Sequence, residues 1–390
     1  PLNPNLPTIA EVLTKTGFYT KGYGNNPNVH SSFHFNKGYI EYTDLQPKRV
    51  FLAQETSAKL TIYEILRRIH AKISQLLHKF LKVPPDIRYF YHPAEDVNKD
   101  VLTWFHNYKH NNPFYLSIHY MDTHDPFYNR HNQKDFFARA LLGDKPKSHL
   151  TKSLKDACIS EIEYLDEHLG KLFSELKKSG IYQNSFIIFT SDHGEEFEEH
   201  GGWWHGFSLY QEMLHIPLII KVPERLKSSE NSNIQVTQMV RAIDIPATIL
   251  ECAGAEIPHS FQGIPLLTKD GKINYDNLSK ISHSIAENDT VGQIMKSIRQ
   301  GDNKLILANP DNPRGFAEQE LYNLSDDPGE KNNLSNNPNF SEIKNLLLNL
   351  LQKTLTENHP KAVQTQQTQP TTKEIPPELK EQLKSLGYME

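Results

Sequence analysis

A long amphipathic pattern, "TKSLKDACISEIEYLDEHLGKLFSELKK" (residues 151–178), runs into Gly180 and then into the apolar stretch "SFIIFT". A helix of this kind can bury its one apolar stripe only against another layer. A short uninterrupted apolar strand belongs in a sheet shielded on both faces. The same order of helix and then strand occurs twice upstream: "PTIAEVLTKTG" precedes "FYTKGY", and "AEDVNKDVLTWFHNY" precedes "PFYLSIHYM". Downstream, "IPLIIKVP" reads as a fourth strand and "MVRAIDIPATILECAG" as a further helix. Alternation with short links argues for a largely parallel sheet covered by helices.

Past residue 265 the character changes to short segments such as "GQIMKSIRQGDNKLILANP" and "QELYNLSDDPGEKNNL", which read as an antiparallel subdomain with turns. We place a main α/β domain at 1–265, this subdomain at 266–345, and a helix, polar linker and terminal helical tail at 346–390. The linker "KAVQTQQTQPTTKEIPP" is too polar to bury a core. Residues 57–81 carry helical periodicity with basic residues on one face, the pattern of a surface helix.

The net charge of −5 over 390 residues gives no field that would draw the chain to nucleic acid. There is no run of about 18 apolar residues to span a bilayer. The text opens at Pro1 with a polar turn and an immediate helical pattern, as the middle of a longer protein would, so compartment stays open. Cys158 and Cys252 both fall in apolar-periodic helical text and read as small buried hydrophobes, not a disulfide framework.

Three strand candidates end in polar groups: Gly24-Asn25-Asn26, Asp122-Thr123-His124-Asp125, and Asp192-His193-Gly194. Parallel strands carry their carboxyl ends on one edge, where open α/β sheets bind ligands, so these three turns are expected to converge. Asp192 and His193 offer a hard oxygen and a borderline nitrogen, a pairing that suits a divalent cation. An isolated Asp-His-Gly is more often an Asx-type turn. Here the buried strand before it, and His200 and His205 after it, favour a site. His124 reads equally as a strand-end turn residue or as a general acid. Glu195, Glu196, Glu198 and Glu199 read as the acidic first turn of a helix. A zinc-protease pattern needs histidines four apart on a helix, whereas His200 and His205 are five apart with two glycines between.

Taken together, "LPTIAEVLTKTGFYTKGYGNNPNV", "PFYLSIHYMDTHDPF", "ISEIEYLDEHLGKLFSELKKSGIYQNSFIIFTSDHG", the segment onward to "HIPLIIKVP", and "QELYNLSDDPGEKNNL" resemble, in order, the sulfatases of the alkaline-phosphatase-like superfamily. The resemblance implies an α/β/α sandwich with a mostly parallel central sheet and a small C-terminal antiparallel-sheet subdomain. It implies a sulfuric ester hydrolase acting on a small-molecule or glycan sulfate ester, and a periplasmic or secreted location, with a cytoplasmic one left open. Asp192 and His193 would be ligands of one divalent ion, Ca²⁺ or Mn²⁺, with Zn²⁺ also within their range. His124 would contact the ester and protonate the leaving oxygen, His205 would face the sulfuryl oxygens, and Asn26 would touch substrate from the end of its strand.

The chain departs from the family in two respects. The nucleophile motif Cys/Ser-X-Pro-Ser-Arg, whose cysteine becomes formylglycine, is absent, as are the paired aspartates of the first metal strand. We therefore expect both to lie upstream of Pro1 and this chain by itself to be inactive. Two other readings stand beside the sulfatase: a phosphonate or phosphate ester hydrolase or phosphoglycerol transferase of the same superfamily, and a non-catalytic binding protein that keeps the cleft.

Overall fold

The computed structural model describes residues 5–45, 87–131, 136–227, 233–290, 292–358 and 379–380. The expected helix at 57–81 and the polar linker lie outside the described residues. The chain forms two compact units, residues 1–183 with 373–390, and residues 184–372.

In the first unit, α1 (Ile9–Lys15) begins at Thr8, which closes a capping box with Glu11. Each side chain there satisfies an amide that the first helical turn leaves unpaired. Three parallel strands follow: β1 (Tyr19–Gly24) lies between β2 (Glu41–Asp44) and β3 (Phe114–Ile118), with Tyr19 opposite Phe114 and Gly24 opposite Asp44. The glycines of β1 have a steric cause. A Cβ on Gly22 or Gly24 would lie 2.5 Å from atoms of Tyr42, so the tyrosine occupies the space side chains would need.

Helices α2 (Ala94–Asn107) and α3 (Thr151–Lys178) supply Val97, Val101, Leu172 and Leu176 to a core with Tyr23 and Leu45. Each such fully buried side chain contributes roughly 1.5–3 kcal/mol of transfer free energy. A short antiparallel pair, β4 (Phe127–Tyr128) with β5 (Phe136–Phe137), follows the turn after β3.

The second unit opens with β6 (Ile187–Thr190). A hairpin of β7 (Glu196–Phe197) and β8 (Trp203–Trp204) and the short helix α4 (Gln211–Leu214) lead back to β9 (Leu218–Lys221). β9 pairs antiparallel to β6, with Ile188 opposite Ile220. A largely parallel sheet leaves room for such a pair, and its direction has a local cause. A parallel return needs a crossover, and the hairpin and four-residue helix reverse the chain instead. Beyond α5 (Asp244–Cys252), strands β10 (Ser284–Thr290), β11 (Gln293–Gln300), β12 (Asn303–Ala308) and β13 (Gln319–Asn323) form an antiparallel meander, the expected C-terminal sheet. Its side chains alternate. Ile298, Leu305 and Leu321 face α6 (Ser341–Asn358) at Leu347 and Leu351, while Met295, Ile306 and Tyr322 pack with Leu209 and Tyr210.

No helix among the described residues is long and apolar enough to cross a membrane. Cys158 is buried, Cys252 is half-buried, and both are free thiols.

Candidate functional site

β6 delivers Asp192 and His193 two and three residues past its end. Asp192 Oδ1 accepts the amide of the next residue, His193, at 3.1 Å, whereas an Asx turn would take the Gly194 amide, which donates instead to Met213. The Asp192–His193 contact does not use up the pair's donors. The His193 ring places Nδ1 2.8 Å from the Gly194 carbonyl, which puts its proton on Nδ1 and the lone pair on Nε2. Nε2 stands 3.8 Å from Asp192 Oδ1, with the Asp192 side chain 72% and that of His193 36% exposed. Two donors each about 2.0–2.5 Å from a divalent ion can be that far apart and still share it. The pair therefore fits two positions of a divalent-cation site. Among the described residues no group of three or more His, Cys, Asp or Glu is placed to hold a metal, so the pair does not form a closed cage.

Gly194 is needed for contact, not for turning. A Cβ there would sit 1.9 Å from the Glu212 carbonyl oxygen, and the Gly194 amide donates to Met213 O at 2.9 Å. This close approach ties the candidate metal segment to α4.

The four glutamates that follow do not open a helix, which corrects the sequence reading. They lie just before β7, in it and in its hairpin turn, and each has its own task. Glu195 accepts from Nδ1 of His205 at 3.1 Å, both side chains being 12% exposed. Glu196 is buried against Arg314. Glu198 takes a left-handed φ of 72° at the turn, and Glu199 accepts the Phe197 amide at 2.5 Å. The hairpin returns through Trp203 and Trp204, both buried, and so brings His205 over His193, ring on ring. A carboxylate on Nδ1 fixes the tautomer and orientation of an imidazole, which then works through Nε2. Glu195 was not singled out from sequence; its only signal is that it and His205 flank a Gly-Gly-Trp-Trp return.

His200 is a structural joint. Its Nδ1 meets Glu212 at 2.5 Å, its Nε2 meets the Glu330 carbonyl at 3.1 Å, and its ring stacks on Tyr210 at 3.5 Å. Burial opposes its charge, but the Glu212 carboxylate outweighs that and raises its pKa above the ordinary histidine value.

In the first unit, β1 and β3 are adjacent and parallel, so their polar ends share one edge of that sheet. Asn26 caps the turn at Pro27–Val29 by accepting the Asn28 amide at 2.8 Å. Its neighbour Asn25 is buried and pairs its amide with the backbone of His92 in both directions, at 2.7 and 3.0 Å. His124 is buried, with Nδ1 2.6 Å from the Asp125 carbonyl. Asp122, fully buried, accepts the Ala94 amide at the start of α2 at 2.9 Å. Burial pushes its carboxyl up to about 6, against the pull of that amide and of Arg130. Thus Asp192, His193 and His205 are brought together in the second unit, and Asn26 and His124 stand at strand ends of the first.

A family model described as sulfatase matches residues 1–255, and one described as N-sulphoglucosamine sulphohydrolase, C-terminal, matches residues 198–357. The chain is 29% identical over 225 residues to an N-acetylglucosamine-6-O-sulfatase of Bacteroides thetaiotaomicron, covering 56% of this chain and 38% of that protein. It is 29% identical over 175 residues to arylsulfatase K of Xenopus laevis, covering 44% and 31%. The chain thus spans under two fifths of the length of these curated relatives. Among solved structures, a protein in complex with its substrate D-glucosamine-2-N,6-O-disulfate superposes with a TM-score of 0.64 at 16% identity, over 92% of this chain and 83% of that one. A phosphonate monoester hydrolase from Silicibacter pomeroyi superposes with a TM-score of 0.62 at 17% identity, over 92% and 81%. At these identities the likeness is one of fold, the alkaline-phosphatase-like fold.

Proposed function

Because the chain belongs to the sulfatase family, we propose that it is part of a sulfuric ester hydrolase, with Asp192 and His193 as ligands of a divalent cation. The observation that carries this is the donor pair at the end of β6, stacked against an imidazole backed by a carboxylate. A divalent ion bound there would neutralise charge on sulfuryl oxygens. His205, oriented by Glu195, would hold one of those oxygens as a hydrogen-bond donor. His124, its Nδ1 anchored on Asp125, would hand a proton to the leaving oxygen, and Asn26 would contact substrate from the end of β1.

Attack at sulfur needs a nucleophile, and no Cys/Ser-X-Pro-Ser-Arg occurs in the 390 residues. We assign it, as formylglycine or serine, to a polypeptide segment upstream. The substrate class is a sulfate ester on a small molecule or glycan. The relatives' names make sulfated glucosamines the first to assay.

The test compares this chain with one extended upstream, each supplied with Mn²⁺ or Ca²⁺, on aryl sulfate, glucosamine 6-sulfate and a phosphonate monoester. The reading expects turnover of sulfate esters by the extended chain only. Faster turnover of the phosphonate would move the assignment to phosphoryl chemistry. Equal turnover by both chains would place the nucleophile inside these 390 residues.

A further inference from the structure

Arg314, from the link between β12 and β13, reaches back more than a hundred residues into the hairpin that carries His205. Its Nη1 and Nη2 each donate to Glu196 at 2.7 Å, Nη1 also to the Phe207 carbonyl at 3.2 Å, and Nη2 to the His200 carbonyl at 3.1 Å. One guanidinium thus fixes the start and middle of the hairpin and the residue two past His205. Glu196 in turn accepts the Gly202 amide at 2.9 Å and the Ser208 hydroxyl at 3.2 Å. The fit leaves no slack, since a Cβ on Gly202 would lie 2.0 Å from Nη2. Arg314 is itself held: its amide donates to Asn312 Oδ1 at 2.9 Å, and its guanidinium lies 4.6 Å from the centre of the Phe316 ring.

We propose that Arg314 is a positioning residue: by locking Glu196 and the two carbonyls it fixes the neighbouring Glu195 and so sets the orientation of His205. The geometry stands without ligand, while its bearing on catalysis rests on the function proposed above. Lysine could not replace it, because an ammonium lacks the planar fork that serves a bidentate carboxylate and two carbonyls at once. Arg314 has no sequence signal near the site. The C-terminal sheet is, on this account, part of the active-site apparatus.

The experiment reads the ring nitrogens of His205 directly. In the ¹⁵N-histidine-labelled chain at alkaline pH, long-range ¹H–¹⁵N spectra report the tautomer of each imidazole, and thermal melts report folding. Wild type is expected to hold His205 with its proton on Nδ1. Arg314→Met and Gly202→Ala are expected to move His205 toward the mixed tautomers of an unconstrained imidazole, while His283, bonded to Thr354 at 2.9 Å in the same unit, keeps its shifts. Arg314→Lys should fall between. If Arg314→Met does not fold, Gly202→Ala and Arg314→Lys decide, since both keep the charge. His205 unmoved in folded variants, or His205 and His283 moving together, would overturn the proposal. A His205 shift, with no sulfate ester turned over by the chain extended upstream, would uphold the positioning and sink the functional reading alone.

Discussion

The imidazole rings of His193 and His205 stack with centroids 4.3 Å apart and planes 25° from parallel. One ring follows β6 and the other follows β8, so the hairpin couples a candidate metal ligand to a candidate substrate contact. In the chain extended upstream, His205→Ala should lower kcat/KM for sulfate esters by about 10²–10³-fold, the usual loss when one donor to developing charge is removed. His205→Lys should retain more activity, because an ammonium carries its charge without help from Glu195. Full activity in the alanine variant would remove His205 from the mechanism.

Metal affinity should be low in the 390-residue chain alone. One carboxylate and one imidazole leave most of the coordination sphere to water, and hard divalent ions bind tightly only where several anionic oxygens converge. Calorimetric titration with Mn²⁺ is expected to give a Kd weaker than about 10⁻⁴ M, and Asp192→Asn should abolish the signal. Micromolar affinity would show a fuller cage than the described residues provide.

Asp122 makes stability depend on pH with a definite sign. Burial, only partly offset by the Ala94 amide and Arg130, raises its carboxyl from 3.8 to about 6 in the folded protein. The native state then holds the proton more tightly than the unfolded one. Its contribution is complete below the unfolded value and is lost as pH rises through about 6. Asp122→Asn keeps an acceptor for the amide and cannot ionise. Its stability relative to wild type, from urea melts, should therefore improve between about pH 4 and pH 7 by up to roughly 3 kcal/mol. A difference that does not vary with pH would contradict this.

Lys304 and Glu330 form an ion pair at 2.7 Å with side-chain exposures of 1% and 0%. Burial lowers the Lys304 pKa, and the Glu330 charge opposes that shift. Lys304→Met would strand a buried carboxylate that also accepts the Gln211 amide at 2.6 Å. The expected cost is about 3–5 kcal/mol by denaturant melting. The double variant Lys304→Met/Glu330→Gln should recover part of it, and a single variant as stable as wild type would show that the pair is not needed.

Local pattern made much of this fold legible. The helical pattern after Pro7, the stripe of α3 and the apolar run of β6 each state their element within a dozen residues. The polarity of β9 was not legible, because direction depends on how the chain returns, and "GGWWHG" reads as loop chemistry until its hairpin is seen. Among site residues, Asp192, His193 and His205 could be picked out because they follow strand patterns or flank glycines. Glu196 and Arg314 could not: their pairing spans 118 residues, and only the folded meander brings them together. Nor could the four glutamates be told apart, since composition in the first turn of a helix and composition in a tight hairpin are alike.

Leu379 is buried, and it belongs to the unit otherwise made of residues 1–183. A ribosome releases those first residues long before it reaches position 379. At about 5–20 residues per second, the wait is on the order of 10–40 s. During that interval the early unit must persist without this apolar contributor while the meander and its ion pairs assemble from residues made later. Synthesis order therefore predicts a nascent chain whose amino-terminal unit is the more protease-sensitive of the two until position 379 has been made, and a release at Thr372 should leave it so permanently.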